Sequence, residues 1–331
     1  MCTVRAVVQD RYGSPEALEV REIERPDPGA RQVLVRVEAA CLDRGELHLM
    51  TGLPYMLRVM GFGLLRPKLR VRGTDVAGTI EAVGSDVSGL RPGDPVFGFC
   101  EGALAEYALA DGDKLVGMPE GLSYEQAAAL PASATAALQF VRDFGRVARG
   151  QKVLVIGAGG GVGTFAVQMA AARGAEVTGV CSAAKDQLVR SIGATHVIDY
   201  EKEDFVAGKT RYDVIIDTAG NRRLSDLRHV LTREGVLLIA GGEGGRWVGG
   251  TQRNLRAYLI SPYVRQTLLA PFLKGRREHL EAVKELVEAG EVRPIIDRSY
   301  PLDRAAEAFR YLAEGHPAGK ITILVSEGAG G

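Results

Sequence analysis

Residues Lys152–Lys185 read KVLVIGAGGGVGTFAVQMAAARGAEVTGVCSAAK. Val153–Ala172 carries no charge and is about as long as a membrane span. The five glycines within Gly157–Gly163 would break a helix at that point. A β-branched strand, a tight turn, a helix and a second strand fit the pattern instead, as buried α/β core. Gly157, Gly160 and Gly163 give G-x-x-G-x-x-G between strand and helix, not the strict G-x-G-x-x-G. Glycine suits this place because backbone N–H groups at a helix N-terminus can approach a pyrophosphate that a side chain would hold off. The plainer alternative is a packing turn without a ligand.

The end of the second strand separates NAD from NADP. In an NAD site an acid there accepts hydrogen bonds from the adenosine ribose 2′-OH, and it would repel a 2′-phosphate. Val180-Cys181-Ser182 supplies no acid, and Lys185 follows three residues after Ser182. A hydroxyl and an ammonium suit a phosphate, so NADPH is the expected cofactor. Against this, Lys185 could be a solvated lysine at a helix start, and Asp186 stands next to it.

Working outward, 331 residues are enough for about two domains with separate cores. Lys+Arg and Asp+Glu both number 41, so no basic excess points to a nucleic-acid partner. The opening MCTVRAVVQDRYGSPEALEV has no apolar h-region, so it is not a signal peptide, and no membrane insertion is expected. Cys2, Cys41, Cys100 and Cys181 are scattered without a Cys-x-x-Cys pair, which predicts reduced thiols and a cytoplasmic setting. The histidines are equally dispersed and suggest no metal cluster.

Residues 1–110 read as short strands punctuated by Gly and Pro, as in a small β-barrel; QVLVRVEAA at Gln32–Ala40 alternates apolar and polar. From Ser123, a plausible N-cap, Tyr124–Arg149 is Ala-rich and helical. Strands and helices then alternate through VLVIGA, TFAVQMAAAR, EVTGVC, KDQLVRSIG, HVIDY, DVIIDTAG, LSDLRHVLTREG and VLLIAGG, the mark of a doubly wound parallel sheet. Two amphipathic helices and a strand at Lys320–Val325 finish the chain.

Several pieces, in this order and spacing, make the chain resemble the medium-chain dehydrogenase/reductase superfamily, specifically its zinc-free quinone oxidoreductase-like branch. They are YGSPEALEVREIERPDPGARQVLVRVEAA, GTDVAGTIEAVGSDVSGLRPGDPVFG, GAGGGVGTFAVQ, GATHVIDY, DVIIDTAG and PLDRAAEAFRYLAEGHPAGKITILV, and they run over essentially the whole chain. The resemblance implies an α/β chain with a GroES-like β-barrel catalytic domain at residues 1–126, a Rossmann domain at 127–270, and a C-terminal segment, 271–331, returning to the first. It also implies an active site in the cleft between the two domains, and a homodimer. Gly159, Gly160, Gly161 and Val162 would hold the pyrophosphate; Ser182, Lys185 and Tyr200 the 2′-phosphate; Thr135, Ala240, Gly241 and Gly242 the nicotinamide end.

Zinc members of the superfamily carry a Cys shortly before Asp-x-His, and a Gly-His-Glu further on. Asp43, Thr74 and Asp75 stand at the matching positions, hard oxygens that would hold zinc poorly, so no metal is expected. Without a Lewis acid, hydride delivery to a small hydrophobic quinone or an α,β-unsaturated carbonyl is the easier chemistry. The oxygen that gains charge then needs a hydrogen-bond donor and a proton. Asp43 and Tyr55 are the candidates. Asp43 replaces the Asn common in zinc-free relatives; it is either protonated in an apolar cleft or orients another group such as Arg44. Tyr55 lies in the apolar, glycine-interrupted LPYMLRVMGFGLLRP, read as a flexible substrate wall rather than a core segment, with an apolar lid residue as the duller view of Tyr55. His48 reads as structural. The alternative functions are an NADPH-binding sensor with vestigial catalysis and, disfavoured by the lost ligands, a zinc-type alcohol dehydrogenase.

Overall fold

The computed structural model describes residues 2–240, 247 and 249–326. The chain divides into two compact units. One comprises Met1–Thr135, Gly275–Gly290 and Pro294–Gly331; the other comprises Ala136–Lys274 and Glu291–Arg293.

The second unit is built on a six-stranded sheet in which every pairing is parallel. In spatial order its strands are His196–Asp199, Glu176–Cys181, Lys152–Ile156, Tyr212–Asp217, Leu231–Ile239 and Thr267–Leu269. Counted in chain order this is 3-2-1-4-5-6, the doubly wound arrangement, whose ligands bind beyond the carboxyl ends of the strands. The central strands are apolar on both faces because helices cover both sides; Leu154, Ile156, Ile215 and Leu237 share one core with Leu227 and Leu268.

In the first unit, the long strand Gln32–Leu42 is the organiser. It pairs antiparallel with Asp75–Val83 on one side, with Tyr107–Asp111 along its first half, and with the final strand Lys320–Leu324 at its end, where Ile321 faces Leu42 and Leu324 faces Ala39. Lys320–Leu324 therefore joins the sheet begun near the start of the chain, and Ile296–Pro301 pairs parallel on its other side. Val35, Val37, Val76, Ile80, Phe309 and Ile323 pack in its core.

Two elements differ from the sequence reading. The Ala-rich stretch from Tyr124 is not one helix but Tyr124–Ala128, Pro131–Leu138 and a wider turn at Gln139–Phe144. Pro131 has no N–H to continue a helix, and it starts a new one. LSDLRHVLTREG is helical only over Leu224–His229, and the strand begins at Leu231. Its β-branched Val230 and Thr232 suit the extended chain that follows.

Candidate functional site

The nucleotide-binding candidates gather at the carboxyl ends of the second unit's strands. Gly157 follows Lys152–Ile156 at φ +82°, a conformation glycine adopts freely, and a Cβ there would lie 2.4 Å from Thr218 Oγ1. Thr218 donates its hydroxyl to Ile156 O at 2.8 Å, tying two neighbouring strand ends together. Gly163 has no room either: its Cβ would sit 2.1 Å from the carbonyl oxygen of Gly157. Gly160 is different. It caps the helix Gly161–Ala172 with ordinary extended dihedrals, and an added Cβ would meet only Gly157 O at 3.4 Å. Neither backbone nor packing demands glycine at this position, and the first N–H groups of the helix lie beside it. Gly161 and Val162 are the first residues of that helix, both half-buried.

Lys185 lies across this loop. A Cβ on Gly159 would come within 2.6 Å of Lys185 Cδ and 3.0 Å of its Cβ, so the lysine stem rests on the glycine backbone. Ser182 precedes the short turn Ala183–Lys185 and its carbonyl accepts from Lys185 N–H at 3.0 Å. Tyr200 N–H donates to Cys181 O at 3.2 Å, because Asp199 pairs with Cys181 in the sheet. Parallel pairing thus brings Ser182, Lys185 and the half-exposed Tyr200 to one corner beside Gly159. Asp186, the acid that weakened the case for Lys185, is engaged elsewhere: its oxygens accept from Arg190 Nε and Nη2 at 2.8 and 3.2 Å. Burial pushes the Cys181 thiol up to about 11, leaving it an uncharged neighbour.

The sequence reading passed over one acid here, Asp199 in HVIDY. Its Oδ1 accepts from Glu201 N–H and its Oδ2 lies 3.3 Å from Lys202 Nζ, so its charge is balanced within its own turn. It also missed Asp217, fully buried at the end of its strand, which accepts from Gly220 N–H at 3.0 Å and pairs with Arg253 at 2.7 Å. The Asp-Thr-Ala-Gly run after an apolar strand was the available signal. Ala240 is exposed at the next strand end, its N–H bonded to Asp217 O at 2.9 Å. Gly241 and Gly242 lie outside the described residues.

In the first unit, Asp43 caps the helix Arg44–Thr51, its Oδ1 accepting from Gly45 N–H at 2.7 Å and Glu46 N–H at 3.3 Å. That carboxylate oxygen holds the helix start, as an N-cap acid does. Tyr55 begins the turn Tyr55–Leu57, half-buried, with the Arg58 guanidinium 4.8 Å from its ring. His48 Nδ1 lies 2.9 Å from Leu53 O. Thr135 is buried and donates its hydroxyl to Pro131 O at 2.6 Å.

Behind Asp43 lies a buried polar centre that the sequence did not announce. Asp75 Oδ2 accepts from Ala132 N–H at 3.1 Å, and Lys320 Nζ donates to Ser133 Oγ at 2.9 Å, so both grip the first turn of the helix that carries Thr135. Burial raises Asp75 to about 8; Lys320 pulls it down, and Asp43 pushes it up. Burial lowers Lys320, but Cys41, Asp43 and Asp75 together outweigh it and raise it on balance. Cys41 points its thiol at Ile321 O, 3.1 Å away, and burial pushes that thiol up to about 12.

A zinc ion does not fit these residues. Asp43 is occupied by the helix cap, Asp75 is buried against Ala132, and Cys41 is a high-pKa thiol facing a carbonyl. Among the described residues no three His, Cys, Asp or Glu side chains are grouped to hold a metal.

Family models match two stretches of the chain. The alcohol dehydrogenase GroES-like domain covers residues 29–138, and the zinc-binding dehydrogenase model covers residues 192–323. The chain is 32% identical to the chloroplastic quinone-oxidoreductase QR1 of Triphysaria versicolor and 30% identical to the quinone oxidoreductase of Homo sapiens, in each case over 97% of this chain and 98% of the relative. Among solved structures it superposes on the Escherichia coli quinone oxidoreductase complexed with NADPH at a TM-score of 0.83 and 25% identity, covering 97% of this chain and 100% of that one.

Proposed function

The chain belongs to the medium-chain dehydrogenase/reductase superfamily, in its quinone oxidoreductase-like branch, and on that premise we propose that it is a zinc-independent oxidoreductase using NADPH to reduce a quinone or an α,β-unsaturated carbonyl. The observation that carries the cofactor is the corner made by Ser182, Lys185 and Tyr200 beside the open backbone at Gly159 and Gly160. A hydroxyl, an ammonium and a phenol suit the extra 2′-phosphate, and the nearest acids, Asp186 and Asp199, are already paired. Bound NADPH supplies a hydride, and a proton from solvent or a side chain completes the two-electron reduction of a quinone to its hydroquinone.

The residues of this chain have narrower tasks. The N-terminus of Gly161–Ala172 binds the pyrophosphate; Thr218 and Asp217 fix the strand ends around it. Thr135, whose helix is held by the Asp75 and Lys320 contacts, is our candidate for the nicotinamide end, and Ala240, Gly241 and Gly242 keep the nicotinamide role that the family resemblance implies. Tyr55 is the preferred proton donor, since the Asp43 carboxylate is committed to its cap. A sensor that binds NADPH with vestigial catalysis is the second reading, and that same commitment of Asp43 favours it. A homodimer and a cytoplasmic setting complete the proposal; Cys2, Cys41, Cys100 and Cys181 are all free thiols.

A spectrophotometric screen of NADPH and NADH against 1,4-quinones and medium-chain enones tests it. Turnover of either acceptor class with NADPH, unaffected by zinc chelation, is expected. NADPH binding without oxidation by any acceptor would favour the sensor, and zinc-dependent turnover of simple alcohols would overturn the mechanism.

A further inference from the structure

We infer that the segment Val59–Lys68 docks on an anionic phospholipid surface, with Leu64 and Leu65 entering at headgroup depth and Arg66 and Lys68 meeting the lipid phosphates. Leu64 is 64% exposed and Leu65 87%, and Val59, Met60 and Phe62 just before them are also open to solvent. The two leucines form the tip of a tight turn. A Cβ on Gly63 would lie 2.0 Å from Arg66 O, and Lys68 N–H donates to Phe62 O at 2.9 Å. Turn tips are ordinarily made of Gly, Pro, Asn, Asp and Ser, so two leucines at one leave a deliberate apolar projection.

The backbone beneath this tip is fastened. The Tyr12 hydroxyl is 2.8 Å from Phe62 O and 2.7 Å from Gly63 O. Arg58 Nε donates to Gly52 O at 2.8 Å while its guanidinium sits over the rings of Tyr12 and Tyr55. The turn is therefore braced, with Val59, Met60, Phe62, Leu64 and Leu65 exposed on it.

Charge selects the occupant. Arg70 is paired with Asp10 at 2.7 Å, whereas Arg66 and Lys68, both exposed, make no ion pair among the described residues. The whole chain is neutral, so any preference for an anionic surface must come from such a local cluster. An apolar projection rimmed by cations is how peripheral proteins settle at an interface: apolar area enters the acyl boundary and cations meet anionic headgroups. A second copy of this chain would set the same cations against each other. The docking is interfacial, and no described helix is long and apolar enough to cross a bilayer. It goes beyond the proposed oxidoreductase activity and does not rest on it.

Co-sedimentation of the full chain with vesicles, without cofactor or quinone, tests this. Binding to phosphatidylglycerol-containing vesicles is expected to exceed binding to pure phosphatidylcholine at least about tenfold and to fall as salt rises. Leu64→Glu/Leu65→Glu should lower binding about tenfold or more with an unchanged melting temperature, and Arg66→Glu/Lys68→Glu should remove the preference for anionic lipid. A Leu65→Trp protein with Trp247→Phe to clear the background should shift its emission to the blue on the anionic vesicles. No binding by the wild-type chain, undiminished binding by the leucine variant, or a variant that changes only the sedimenting mass of the free protein would each overturn the inference.

Discussion

The glycine loop and the Asp75–Lys320 centre are both polar sites at a helix N-terminus, yet they are built in opposite ways. At the loop the protein offers backbone: glycines open a path to N–H groups, and one lysine stem lies across it. At the buried centre it offers side chains: an acid and an ammonium, each almost fully enclosed, hold adjacent residues of the turn Pro131–Thr135. The first presents backbone at a helix start; the second is enclosed and fixes the turn that carries Thr135. Substitutions should therefore act on binding in one place and on stability and its pH dependence in the other.

The sharpest contrast lies within the loop. Gly163→Val drives carbon into the Gly157 carbonyl, so failure to accumulate folded protein is expected in a solubility and melting assay. Gly160→Ala meets only an ordinary contact, so it should melt close to the wild type but bind NADPH about tenfold more weakly by fluorescence titration. Equal behaviour of the two would mean that Gly160 serves packing rather than a ligand.

The buried centre should respond to pH. Asp75 in the folded chain titrates near 8, above its ordinary value of 3.8, so the folded state holds this proton more tightly than the unfolded one. Stability from this group is full below the ordinary carboxylate range and is lost as pH rises towards 8. Asp75→Asn keeps the shape without the charge. Its melting temperature relative to the wild type should climb by about 3 °C or more between pH 5 and pH 8.5. A constant difference would show that Asp75 is ionised throughout. Smaller still, Tyr12→Phe removes one hydroxyl from the carbonyls of Phe62 and Gly63, which should cost about 1 kcal/mol, read as a melting shift of a few degrees.

The same contrast decides what could be read in the sequence. The doubly wound unit was legible because its signals are local: apolar runs, a glycine turn, then a helix, repeated along the chain. Ser182 and Lys185 could be proposed from the residues that end the second strand, Tyr200 only from the family resemblance, and Asp199 was overlooked because an acid on the third strand matters only once Asp199 is seen opposite Cys181. The Asp75–Lys320 centre was illegible because its parts come from opposite ends of the chain, joined when Lys320–Leu324 pairs with Gln32–Leu42. Asp43 shows a second kind of signal. Its Asp-x-x-Glu spacing to Glu46 is a helix-start signature, and Asp43 does cap the helix, while the Glu46 side chain accepts from Gly73 N–H. In Tyr124–Arg149 the run of alanines outweighed Pro131, which divides the helix.

Calorimetric titration of NADP⁺ and NAD⁺ into the wild-type chain and Lys185→Ala tests the central claim most directly. The wild type should bind NADP⁺ at least about tenfold tighter than NAD⁺, and Lys185→Ala should lose most of that margin while its affinity for NAD⁺ stays within about threefold. Tighter binding of NAD⁺ by the wild type, or a margin untouched by the loss of Lys185, would contradict it.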